Sequence, residues 1–149
     1  MKTYRIETAN GTYHLSGLID KVKETIEDIV QANERMALHR QMTKGLLTPE
    51  VYTMEKAGIQ AMGFASEAVM KFISTPKGEK ELFRAMLEHG GKLELVKSDD
   101  IQAVIDAKNI KDSDAALTIA AIWTDAYPKA TPPSDSTAPA GETNSTPSS

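Results

Sequence analysis

The stretch TYRIETANGTYHLS, residues 3–16, carries the one signal for β structure in a chain that otherwise reads as helix. At its centre, Asn10-Gly11 is the strongest short-range hairpin signal, because both residues tolerate the positive φ that a two-residue type I′ turn demands. A turn centred there pairs Ala9 with Thr12, Thr8 with Tyr13, Glu7 with His14, Ile6 with Leu15 and Arg5 with Ser16. Side chains alternate along a strand, so Tyr4, Ile6, Thr8, Tyr13 and Leu15 gather on one side of the ribbon. Arg5, Glu7, Ala9, Thr12, His14 and Ser16 gather on the other. An isolated two-stranded hairpin is marginal in water, so its apolar side must be covered. The plainer reading is a lid over the protein's own helices. The alternative is a sheet built between subunits, since short exposed edges invite pairing; Tyr4, Ile6, Tyr13 and Leu15 are then the candidate subunit contacts.

Outward from the hairpin, Ile19, Val22, Ile26, Ile29, Val30, Met36 and Leu38 recur near helical spacing over residues 18 to about 44. Acids crowd the first half of this helix and Arg35, His39, Arg40 and Lys44 the second, the polarity that the helix macrodipole favours. Gly45 ends it. Thr48, Pro49 and Glu50 then supply a cap, a first-turn proline and an acid for a second helix running to about residue 73. Within that helix Gly58, Ala61, Ala65 and Ala68 would let another helix approach closely, and Gly58 and Gly63 leave room for a kink or break. Thr75 and Pro76 repeat the start signal, and Gly90 or Gly91 stops the third helix, whose apolar stripe is Leu82, Phe83, Met86 and Leu87. After a linker with Leu93, Leu95 and Val96, Ser98 is the expected cap of a fourth helix that turns Ile101, Val104 and Ile105 inward. Asp112 or Ser113 opens a fifth, in which Leu117, Ile119, Ala120 and Trp123 can pack.

From Pro128 onward the chain holds five of its seven prolines and no large apolar residue. Such a segment cannot bury enough surface to offset the entropy of ordering. The expected fold is therefore mainly α: an N-terminal β-hairpin (3–16), a compact bundle of about five helices within one domain over residues 1–127, and a disordered tail over 128–149.

Composition narrows the function. A chain of 149 residues with 40% hydrophobic and 26% charged residues suits a single globular core. Its net charge of −4 leaves no surplus of cations for a phosphate backbone, which disfavours general nucleic-acid binding. No stretch approaches the roughly 18 to 20 apolar residues of a membrane span, and the N-terminus lacks the apolar core of a signal peptide. A cytoplasmic protein is expected. With no cysteine, thiolate catalysis and cysteine-based metal sites are excluded.

The search for chemistry yields no catalytic, metal or cofactor residues. His14, His39 and His89 fall on a strand and two different helices, without the His-Glu-x-x-His spacing that sets two ligands on one helical face. Asp112 and Asp114 begin like a calcium loop, but Ala116 and Leu117 stand where an oxygen ligand and the turn glycine are needed. Gly90-Gly91 follows a helix and lacks the Lys-Ser/Thr pair of a phosphate loop. No Gly-x-Ser-x-Gly occurs. The distinctive feature is six internal methionines, Met36, Met42, Met54, Met62, Met70 and Met86. Methionine fills gaps in cores and also serves adaptable binding surfaces.

The opening KTYRIETANGTYHLSG, the middle AVMKFISTPKGEKELFRAMLEHG and the end segments SDDIQAVIDAKN and ALTIAAIWTDAYPK together resemble, in helix pattern and order, the tail assembly chaperones of long-tailed bacteriophages. The likeness covers most of residues 2–128. It implies a protein that binds the long, helical tape-measure protein in the host cytoplasm and keeps it soluble while tail-tube subunits assemble around it. It also implies membership of a pair, a short form like this chain and a longer form made by ribosomal frameshifting. The proline-, serine- and threonine-rich tail without strong charge departs from the pattern, and no client-binding residue carries over by position. Met54, Met62, Phe72 and Leu82 are the candidate partner contacts.

Two other classes compete. A structural or adaptor subunit of a virion would use the hairpin for permanent subunit contacts, which includes a homo-oligomer. A small regulator would place Arg35, Arg40 and Lys44 on nucleic acid, against the sign of the overall charge.

Overall fold

The structure, a computed structural model, describes residues 1–91 and 95–128. Leu93 and the expected tail beyond Pro128 lie outside the described residues. The order is β1 (Thr3–Thr8), β2 (Gly11–Ser16), α1 (Asp20–Thr43), α2 (Pro49–Gln60), α3 (Glu67–Ile73), α4 (Pro76–His89), α5 (Ser98–Lys108) and α6 (Asp114–Ala126). The fold is mainly helical with one antiparallel hairpin, as the periodicity predicts.

The hairpin differs from expectation in register. Its pairs are Thr3 with Ser16, Tyr4 with Leu15, Arg5 with His14, Ile6 with Tyr13, Glu7 with Thr12 and Thr8 with Gly11. The loop is Ala9-Asn10, not Asn10-Gly11, and only Gly11 takes positive φ, at 122°. Thr8 causes the shift: its hydroxyl accepts from the Asn10 N–H at 3.1 Å and donates to the Gly11 carbonyl at 2.9 Å, bracing the tighter turn. Each partner moves by two residues, and a two-residue shift preserves the side of every strand residue. Tyr4, Ile6, Tyr13 and Leu15 therefore still share one face.

That face lies in the protein's own core, with Ile6 and Leu15 at 1% and 0% exposure. These two side chains each contribute roughly 1.5–3 kcal/mol of transfer free energy. β1 packs on α5 and α6, and β2 on α4. Two tyrosines pin the ribbon: the Tyr4 hydroxyl donates to Asp125 on α6, and the Tyr13 hydroxyl donates to Asp100 on α5 at 2.8 Å. Burial and the neighbouring carboxylate hold both phenols above their ordinary pKa. The lid reading is the observed one, and Tyr4, Ile6, Tyr13 and Leu15 are corrected as subunit contacts because they are already covered.

Helix starts follow the caps. Thr48, Thr75 and Ser113 accept from the N–H three residues on, at 3.2, 3.0 and 3.0 Å. Ser98 does not cap; it begins α5, and Asp100 reaches back instead to accept from the Lys97 N–H at 2.9 Å. The second helix breaks into α2 and α3 between Gln60 and Glu67, a break that Gly58 and Gly63 leave room for. Phe64 turns into the core at 4% exposure and stacks on Trp123, with ring centroids 6.1 Å apart, which pulls the chain out of helix; Ser66 recaps it. Gln31 on α1 donates to the Met62 carbonyl at 3.0 Å, satisfying an acceptor freed by the break.

One core cluster joins the hairpin to α1, α3, α4, α5 and α6. Two glycines let backbones meet there. A Cβ on Gly78 would lie 1.8 Å from the Phe72 carbonyl oxygen, and one on Gly90 would lie 2.0 Å from that of His14. Gly90 is thus the point where α4 meets β2, while Gly91, at φ 79°, makes the helix stop. Gly58 has open space over its Cα, so the predicted close helix contact there does not occur.

Candidate functional site

α1 belongs to the core for only half its length. Val22, Ile26 and Val30, spaced i, i+4, are sealed in the core on the side of α1 that α3 and α4 cover, and beyond them only Leu38 is buried. The second half carries α2 beside it, and α2 packs chiefly on α1. The buried apolar side chains of this pairing, Leu38 and Ile59, lie outside the main core cluster. The two helix segments form an arm, closed at its far end by Gly45 at φ 73°.

Apolar surface is concentrated on the arm. Met36 is 59% exposed, Leu46 68%, Val51 40% and Met54 72%. These are four of the eight large apolar side chains that stand exposed among the described residues. Two grooves follow the α1–α2 seam. One, about 480 Å³, is lined by Arg35, Met36, Leu38, His39, Arg40, Tyr52 and Lys56 together with Ala32. The other, about 310 Å³, is lined by Glu34, Gln41, Met54, Glu55, Gly58 and Met62 with Ala37, Leu38 and Ile59. The arm therefore has a basic flank and an acidic flank, each with an exposed methionine.

The structure sorts the candidate contacts. Met54 is free on the arm, and Met62 is half-buried at its base in the same groove. Phe72 is half-buried against the core, away from both grooves. Leu82 is corrected: it is 4% exposed in the α4 stripe and supports the core instead of a partner. Among the methionines, Met86 is core, Met62 and Met70 pack on the core's edge, and Met36 and Met54 are exposed. Met36 and Tyr52 carry no separate signal in the sequence: Met36 continues the helical spacing of α1, and its place in the groove follows from how little covers this half of the helix, where only Leu38 is buried.

Among the described residues, no group of three or more His, Asp or Glu side chains could hold a metal ion. No described helix is long and apolar enough to cross a membrane. His14, His39 and His89 lie on β2, α1 and α4. Comparison with known proteins finds no family model, no curated protein and no solved structure that matches the chain.

Proposed function

We propose that this chain is a non-enzymatic assembly factor that holds an elongated helical client, in the manner of the phage tail assembly chaperones its sequence resembles. Its client is then a tape-measure protein, kept soluble in the host cytoplasm while tail-tube subunits gather around it. The observation that carries the proposal is the arm, a helical hairpin that leaves Met36 and Met54 exposed on its two flanks. A client with an uncovered apolar stripe needs a cover that binds and releases. Flexible, polarizable methionines supply adaptable apolar contact without demanding one sequence or one set of hydrogen bonds. The virion-subunit reading loses Tyr4, Ile6, Tyr13 and Leu15 as contacts, because that face of the hairpin is internal.

Co-expression with a long coiled-coil tape-measure client tests the reading. The soluble fraction of the client should rise and a complex should elute on gel filtration. Met36→Ser with Met54→Ser should reduce both while leaving the thermal midpoint near that of the parent. No rise and no complex with the unaltered protein would remove the proposal, and finding the protein in stoichiometric amount in finished particles would favour a structural role.

A further inference from the structure

The two flanks of the arm differ in charge, and the difference selects the kind of helix each can take. The larger groove brings Arg35, His39 and Arg40 of α1 and Lys56 of α2 around Met36 and Tyr52, with no carboxylate in its lining. Among the described residues none of these four basic side chains is in an ion pair. This gathering stands out in a chain whose net charge is −4. Cations left unpaired beside exposed apolar carbon lose nothing by being there, and gain if a partner brings carboxylates that flank an apolar stripe.

We propose that this groove is the docking site for an acidic amphipathic helix, whose apolar residues at i, i+3, i+4 and i+7 seat on Met36 and Tyr52 while its flanking carboxylates meet Arg35, Arg40 and Lys56. The inference rests on the client-holding role and names the chemistry of the segment held. The α1 side of the groove runs from Ala32 to Arg40, a rise of roughly 12 Å, which matches two turns of a docked helix. A nucleic-acid strand is the poorer fit. The groove offers one aromatic side chain for base stacking, and Glu34 and Glu55 on the opposite flank oppose a phosphate backbone.

The test uses the full chain and three probes: a synthetic amphipathic helix with a leucine stripe flanked by glutamate, the same peptide with lysine in place of glutamate, and an oligonucleotide duplex. The glutamate peptide should bind, more weakly as salt rises, and the lysine peptide should bind far less. Arg35→Glu with Arg40→Glu should weaken the glutamate peptide about tenfold and narrow its advantage over the lysine peptide. Glu24→Lys, on the part of α1 outside the arm, should change neither. Equal binding of the two peptides overturns this inference and leaves the client-holding role standing. Failure of both peptides, in a protein that still solubilises its coiled-coil client, also overturns it by moving the contact elsewhere. Binding of the duplex alone, lost in the Arg35→Glu/Arg40→Glu protein, makes the occupant nucleic acid. Self-association on sedimentation that the same pair of substitutions abolishes, without peptide binding, makes it a second copy. Unchanged thermal midpoints in all variants keep the comparison one of binding.

Discussion

In the body of the molecule Ile6, Leu15, Val22, Ile26 and Leu87 are at most 1% exposed, whereas in the arm Met36 and Met54 are 59% and 72% exposed. Both regions are helical, both draw on apolar residues at helical spacing, and α1 runs through both. What differs is the number of covering elements. α2, α3 and α4 stand around α1; Val22, Ile26 and Val30 of its first half join the core cluster, whereas in its second half only Leu38 is buried, outside that cluster. Apolar residues are sealed when several elements converge on them, and a two-helix pairing can seal only its seam, here Leu38 and Ile59. The arm is thus the place where apolar surface is available, and the body is the scaffold that presents it.

Substitutions sharpen this contrast, beginning with the body. Leu87→Ala, at a side chain with no exposure, should cost about 2–5 kcal/mol in urea unfolding. Gly90→Ala should cost about 1–3 kcal/mol, because its Cβ would meet the backbone of β2 and force α4 away from the hairpin. Thr48→Ala removes the cap of α2 and should cost about 1 kcal/mol, read as faster amide exchange in the arm with the body's protection retained. Met54→Ser should change stability by no more than about 0.5 kcal/mol while lowering client binding. A Met54 change as damaging as Leu87→Ala would erase the distinction between arm and body.

The smallest expected effect is a pH dependence confined to the body. Tyr4 and Tyr13 have pKa values raised above 10.0 in the folded chain by burial and by Asp125 and Asp100. An unfolded chain releases these phenolic protons first, so the stability they contribute is complete below pH 10 and falls as pH rises beyond it through the folded values. Tyr4→Phe with Tyr13→Phe should flatten that alkaline limb in thermal-melt series. Asp125 is shifted the other way, its pKa lowered by the hydrogen bonds from Tyr4 and Lys2, so its contribution is present above the ordinary carboxylate range and fades in acid.

The periodicity of the chain and its caps carried the class, the hairpin and its two faces, the starts of α2 and α4 at Thr48 and Thr75, and that of α6 to within Asp112 or Ser113, of which Ser113 is the cap. These are local matters, settled by spacing along one element and by side chains that bond three residues away. Even with the loop at Ala9-Asn10 instead of Asn10-Gly11 the faces stay intact, since alternation survives a shift of two. Which apolar residues would be covered was not local. Leu82 and Met54 both stand on amphipathic helices, and only the convergence of α4 with the hairpin and α1, against the isolation of α2, decides that one is core and the other is free. The same holds for Phe64, whose place against Trp123 gives the break that Gly58 and Gly63 allowed its tertiary anchor, and for Gly90, whose missing Cβ matters only because β2 lies against it. Burial is a property of what arrives from elsewhere in the chain.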